Sequence, residues 1–207
     1  DMTFSQSRDF MAGIKAKYTI KDWFTVNLSL HNDFYDRFKR HERIDIRKKV
    51  YQSKIFQPRL TLTSNYFSGH SIIFGIEHTT DELTSDRFVN RKMTTRALHE
   101  TEYFLQDEWT ADNHWMLSTG VRTNFSKAFG FMYMPKIAVK YSPDEHWAVR
   151  ANYSMGYRAP SIKELFFNWD HLGMFQIRGS EDLKPEKNHY CSCLLYTSDA
   201  ADDSLRA

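Results

Sequence analysis

The residues best able to do chemistry gather late in the chain. Between Tyr157 and Lys187 it carries Tyr157, Arg158, Lys163, Trp169, Asp170, His171, Phe175 and Arg178. Cations interleaved with aromatic rings suit an anionic, partly aromatic ligand, because guanidinium and ammonium groups pair with anions and lie over π faces. These eight are the candidate substrate contacts. Charge of this kind attracts many anions, so the ligand's identity is not written in it. No catalytic constellation accompanies them. The nine His are scattered, without an HxxxH pair or a triad, and no facing Ser/His pair of the sort an outer-membrane lipase needs can be found. His70, His114 and His146 fall beside predicted short turns and read as solvated; His31 and His78 read as facing a polar interior; none reads as a metal ligand. Cys191 and Cys193 lack the CxxC spacing of a redox or zinc pair. No catalytic, cofactor or metal residue is assigned.

The same stretch also contains conformational devices. Ala159-Pro160 must end whatever strand precedes it, since Pro lacks a ladder donor and restricts its predecessor. Ser161 with Glu164 has the spacing of a capping box and predicts a short helical turn through Leu165. Leu183-Lys184-Pro185-Glu186 then leads into a further strand. The motif residues can therefore shape a large loop without touching a ligand.

Apolar residues alternate with polar ones along most of the chain, the period of a strand with two different faces. Phe10, Ala12, Ile14, Ala16, Tyr18 and Ile20 lead through Lys21-Asp22 to Phe24, Val26, Leu28, Leu30 and Phe34, which predicts a hairpin. Further strands are predicted over 54–66, around 72–76, over 101–109, and around 115–121, 137–141 and 147–157. The whole of 9–158 is expected to be an antiparallel, curved meander of eight strands. Connections after strands one, three, five and seven are short. Those after two, four, six and eight are expected to be long, at 36–53, 79–98, 123–133 and 159–187. Strict alternation of tight and extended connections is the habit of outer-membrane barrels.

Composition narrows the class. Aromatic residues make up 15% of the 207, yet mean hydropathy is −0.61 and 26% of residues are charged. No run approaches the length of a membrane-spanning helix, so a helical membrane protein is excluded. Trp23, Phe24, Trp109, Trp115, Tyr141 and Trp147 all fall beside short turns, which resembles an interfacial girdle. Lys15, Lys17, Arg59, Arg122, Lys136, Lys140, Arg150 and Arg158 fall between apolar positions and must face water. A transmembrane β-barrel is preferred to a soluble sheet. Phe24, Val26, Leu28, Ile72, Phe74, Leu117, Val149, Ala151 and Tyr153 are expected on its lipid side, with Lys140, Arg150, Asn152 and Arg122 on the other. The basic runs 37–43 and 47–49 read as a solvated loop, not a nucleic-acid site, because acids interrupt them.

Gly156-Tyr157-Arg158-Ala159-Pro160-Ser161-Ile162-Lys163-Glu164-Leu165, followed by Gly179-Ser180-Glu181-Asp182-Leu183-Lys184-Pro185-Glu186, resembles a stretch of TonB-dependent outer-membrane receptors. It is closest to those for ferric siderophores and cobalamin. Phe74-Gly75-Ile76-Glu77 and Asp107-Glu108-Trp109 resemble other barrel hairpins of that family. The resemblance spans most of 70–190. It implies a barrel of about 22 strands with a plugged lumen, lodged in outer-membrane lipid, that takes up a ferric siderophore or cobalamin with energy supplied through TonB. It implies no enzyme activity and no nucleic-acid partner. The alternative is a passive porin or an autotransporter-type barrel. Residues 1–191 are read as a piece of such a barrel, without the plug or the TonB-contact segment. From Cys193 to Asp203 the chain reads CLLYTSDAADD, which resembles a translated sequencing adapter. Residues 192–207 are therefore read as a non-native tail, and 193–207 are expected to pair poorly.

Overall fold

A computed structural model describes residues 3–41, 47–88, 92–144, 146–171 and 173–197. Eight long strands follow one another: β1 (Thr3–Lys21), β2 (Phe24–His41), β3 (Arg47–Ser64), β4 (His70–Ser85), β5 (Thr94–Thr110), β6 (Trp115–Ser126), β7 (Gly130–Tyr141) and β8 (Trp147–Arg158). A helical turn, α1 (Ile162–Phe166), and two short strands, β9 (Asn168–His171) and β10 (Phe175–Arg178), lead to β11 (Glu186–Thr197). The main sheet runs β1-β2-β3-β4-β5-β6-β7-β8-β11, antiparallel throughout, while β9 and β10 form a separate hairpin. The predicted nearest-neighbour meander is present, with β11 as its ninth strand. Among the described residues no helix is long and apolar enough to cross a membrane.

Registers carry the facing pattern across the sheet, since partners in an antiparallel ladder share a face. Val26, Leu62, Phe74, Leu105, Val121 and Pro135 lie in one row of partners. Phe24, Ile72 and Tyr153 are joined through Ser64, Asp107, Thr119 and Ile137 on the same face. Lys140 pairs with Arg150, Ala138 with Asn152, and Arg122 with Phe104, all on the opposite face. The two expected sets separate cleanly. Leu28, Phe74, Leu105 and Ile137 are exposed, an apolar belt with no protein against it. A belt about 25 Å tall is what lipid requires.

Four expectations need correction. The first concerns connections: β2 and β3 run to His41 and from Arg47, β4 to Ser85, and β5 from Thr94. The predicted loops 36–53 and 79–98 are therefore largely strand. The connection after β6 is only the turn 127–129, closed by Gly130 at φ +77°, a left-handed position that a side chain would strain. Backbone pairing continues where the hydropathy signal stops, because wall that stands above lipid meets water on both faces. At about 3.3 Å per residue and a tilt near 40°, the 18 residues of β2 rise about 45 Å, far above the hydrocarbon. β6, β7 and β8, at 12 residues each, stand lower. The basic runs are likewise strand ends and not a loop, except for 42–46, which lie outside the described residues.

The second correction is His70. Its Nδ1 lies 2.8 Å from Asp107 Oδ2, and its ring stacks on Trp109, so it is partnered rather than merely solvated. The third is His78, which shares the face of Ile76, bonds Thr101 at 2.9 Å and stacks against His99. The fourth is the tail. Cys193–Thr197 pair in register with Ala151–Trp147, because the open edge of β8 offers donors and acceptors to any extended chain. Residues 198–207 lie outside the described residues.

The short connections after β1, β3, β5 and β7 gather at one end of the sheet, and the β6–β7 turn lies at the other. Asp112 Oδ1 accepts from the His114 and Trp115 amides, and Asp144 Oδ1 does the same for His146 and Trp147. Those two amide hydrogen bonds hold the Asp112 carboxyl below its usual range. At the same end Trp115 meets Tyr141 at 4.3 Å between ring centroids, and Trp23 meets Tyr66 at 5.0 Å. The expected aromatic rim is present.

Candidate functional site at the rim opposite the short turns

The long connection after β8 leaves the wall at the end away from the aromatic rim. Its first device is the predicted capping box: the Ser161 hydroxyl accepts from the Glu164 amide, and the Glu164 carboxylate accepts from the Ser161 amide at 2.8 Å. Arg158 adds a clamp, donating to Glu164 Oε1 at 2.6 Å and to Glu186 Oε1 at 3.2 Å. One guanidinium thus ties the end of β8 to α1 and to the start of β11. The Ser161 amide bond, followed by the Arg158 contact, brings the Glu164 carboxyl down to about 2, and the two carboxylates hold the Arg158 proton more firmly. Gly179 lies flat on α1, its amide bonded to Phe167 O; a Cβ there would sit 2.7 Å from the Leu165 carbonyl carbon. Only glycine fits that approach.

So braced, α1 passes over the low β6–β7 hairpin and docks on the tall part of the wall. Ile162 is 1% exposed and joins Leu83, Phe88 and Phe167 in a buried cluster, with Tyr51, Leu98 and Phe166 packed around it. Tyr51, Leu83 and Leu98 belong to the face opposite the apolar belt, which in a closed barrel is the lumen face. A bridge between Phe88 and Phe167 and the bond from the Asn168 amide to Arg87 O complete the docking.

Docking leaves a cavity of about 450 Å³ between loop and wall, lined by Asp9, Asp33, Tyr35, Arg37, Tyr51, Ser53, Arg87, Lys163 and Phe167. That is within the usual range for small-molecule sites. Arg37 donates twice to the Tyr35 hydroxyl, at 3.0 and 3.2 Å, and its guanidinium lies 5.8 Å from the Tyr51 ring centroid. Lys163 Nζ lies 5.3 Å from the same ring. Asp33 Oδ1 is buried without a hydrogen-bond partner among the described residues. Three cations, two phenols and two carboxylates can bind an anion and orient a ligand with donor hydroxyls. Among the described residues no three His, Cys, Asp or Glu side chains come together to hold a metal.

The structure sorts the eight candidates. Lys163 lines the cavity. Trp169 reaches its edge indirectly, stacked 4.2 Å from the guanidinium of Arg87. Arg158 is spent on the clamp. Tyr157 buries its hydroxyl without a hydrogen-bond partner among the described residues. Asp170 caps the hairpin turn by accepting from the Gly173 amide at 3.0 Å, and Arg178 is exposed at the end of β10. The side chains of His171 and Phe175 lie outside the described ones. Sequence reasoning missed Tyr35, Arg37, Tyr51 and Arg87. The signal was available for the first two, since carrying the alternation of β2 past Phe34 puts Tyr35 and Arg37 on the polar face.

Comparisons with known proteins agree with the wall. A family model described as "TonB dependent receptor-like, beta-barrel" matches residues 1–190. An iron-regulated outer membrane virulence protein of Vibrio cholerae serotype O1 is 26% identical over 192 residues, covering 90% of this chain and 28% of that protein. A variant of the ferric enterobactin receptor of Pseudomonas aeruginosa superposes with a TM-score of 0.79 at 13% identity, over 95% of this chain and 33% of that one. The siderophore receptor PirA of Acinetobacter baumannii superposes with a TM-score of 0.68 at 10% identity, over 96% and 33%. The chain thus spans about a third or less of each of these three proteins.

Proposed function

The chain belongs to the TonB-dependent receptor β-barrel family, a family of outer-membrane transporters and not of enzymes, and from that premise we propose that the complete protein imports a ferric siderophore. Capture takes place at the outer rim, and TonB supplies the energy through parts of the protein that precede this segment. The single observation that carries the reading is the cavity under α1. It offers Arg37, Arg87 and Lys163 to an anion and the Tyr35 and Tyr51 rings to an aromatic ligand, which suits a ferric catecholate better than the bulkier cobalamin. The printed names of the Vibrio relative and of the two Pseudomonas and Acinetobacter receptors, an iron-regulated protein and two siderophore receptors, support the same class.

The test is the full-length receptor carrying Arg37→Gln, Arg87→Gln and Lys163→Gln. Each charged hydrogen bond contributes about 1.5–3 kcal/mol, so ferric enterobactin, as the probe, should bind at least tenfold more weakly while surface expression is unchanged. Unchanged affinity in a normally inserted triple variant removes the cavity from the mechanism. Deleting 166–178, with expression and uptake measured separately, asks the same of the outer loop. Residues 192–207 we keep apart from the wall as a non-native tail; its support is the composition break near Tyr190. Genomic sequence across codon 193 that continues as an alternating strand would overturn that.

A further inference from the structure

The lipid-side face of β1–β3 changes character abruptly. From Phe24 to Phe34 on β2 it is uncharged and mostly apolar, with Val26, Leu28 and Leu30 between and Asn32 its one polar residue. Ten residues at strand rise and barrel tilt cover about 25 Å, the full height of a hydrocarbon band. Directly above, still on that face by register, come Arg8 opposite Asp36, Phe38 opposite Lys49, and Arg40 opposite Arg47. A register shift between Arg37 and Phe38 keeps Lys49 and Arg47 in phase with this face.

These cations converge. The Arg47 guanidinium lies 3.8 Å from the Phe38 ring centroid, the Lys49 ammonium 5.7 Å and the Arg8 guanidinium 5.9 Å. Against them stands Asp36, whose carboxylate is already engaged by Lys49 at 3.0 Å. Arg8 and Arg47 have no ion pair among the described residues. Lower on β3, Lys54 stands beside Phe34 and opposite Glu82, and adds no excess charge. Like charges drawn to one ring repel each other, and the arrangement is completed by an anion from outside.

We propose that this patch is a binding site for the phosphate groups of lipopolysaccharide in the outer leaflet. Three observations select that partner. The patch faces the lipid side and not the lumen, so a transported ligand does not pass it. It begins where the apolar belt ends, at headgroup height. Its excess charge is positive, as phosphorylated headgroups require. Arg8 and Arg47 hold the phosphate, Lys49 shares it with Asp36, and Phe38 keeps the three cations oriented. The role is anchoring of the wall in its leaflet, separate from ligand capture at the lumen face.

The test uses purified full-length receptor, its fold checked by heat-modifiable gel mobility, titrated with fluorescent diphosphoryl lipid A. Arg8→Gln with Arg47→Gln should weaken binding on the order of tenfold. Lys39→Gln with Lys48→Gln removes the same charge from the same two hairpin ends, but from the opposite face, and should change nothing. Dephosphorylated lipid A should bind parent and variant alike, and raised salt should erase the difference. Equal loss in both double variants would reduce the effect to overall charge. Undiminished binding by the outward pair, or equal affinity for the dephosphorylated lipid, would overturn the proposal. Should the outward pair fail to insert, Arg8→Gln alone carries the comparison, with about a threefold loss expected.

Discussion

The lower wall, from the aromatic rim up to the row of Phe34, and the upper wall beyond it use the same strands in opposite ways. Below, the apolar residues point outward and stay exposed, as Leu28, Phe74, Leu105 and Ile137 do. Above, the described buried apolar side chains (Val50, Leu83, Phe88, Ile162, Leu165 and Phe167) belong to the tall strands, to the β4–β5 connection that carries Phe88, or to the loop that docks on them. The lower wall takes its order from backbone ladders and a lipid solvent, whereas the upper wall has a small protein core of its own. A strand therefore does not define its environment; the environment defines which residues the strand can carry.

The sharpest way to break this contrast is to delete apolar volume in both regions. Ile162→Ala leaves a cavity in the upper core and should destabilise the docked loop by about 2–5 kcal/mol. Hydrogen exchange at the Leu165 and Phe167 amides and tryptic cleavage at Lys163 should rise while the barrel stays inserted. Parent-like protection in that variant would mean that α1 is held by the Arg158 clamp and Gly179 alone. Adding charge makes the complementary cut. Leu28→Arg, in the middle of the belt, should cost about 2–4 kcal/mol, and Thr95→Arg, on the same face but above it, close to nothing. Urea unfolding of the full-length receptor in bilayers reads both. Equal costs would show that the belt does not end where the alternation does.

The same contrast explains what could be read in advance. Pairing order and facing were legible because lipid on one side and water on the other write a period of two into residues 10–34 and 147–157. Arg37-Phe38-Lys39-Arg40 writes no such period, since water takes either face, and so the strand was lost to a predicted loop although its ladder continues. In the loop, Ser161, Glu164 and Pro160 act on their immediate neighbours and could be read locally. Arg87 and Tyr51 enter the cavity only because α1 crosses β6–β7 to reach them. That depends on the low height of a hairpin whose connection the sequence had suggested was long.

The smallest expected effect concerns the clamp and separates the two regions by pH. Glu164 has a carboxyl near 2 in the folded loop against about 4.5 when released, owing chiefly to the Ser161 amide and then to Arg158. A group depressed on folding favours the folded form above its free value and loses that contribution as pH falls through its folded one. Loop docking should therefore weaken progressively between about pH 4.5 and 2, while in the lower wall the response should be confined to the Asp112 turn, whose carboxyl is also held down by its amide bonds, and the ladders stay unchanged. Arg158 remains charged throughout, so the titration belongs to Glu164. Ser161→Ala, which removes the cap and one of the bonds that depress Glu164, should loosen α1 by about 0.5–2 kcal/mol and move the acid transition upward. Tryptophan fluorescence of the loop, with Trp169 as its reporter against Arg87, follows both. A transition that keeps its midpoint in Ser161→Ala would show that another group drives it, and would leave the capping box with a structural role only.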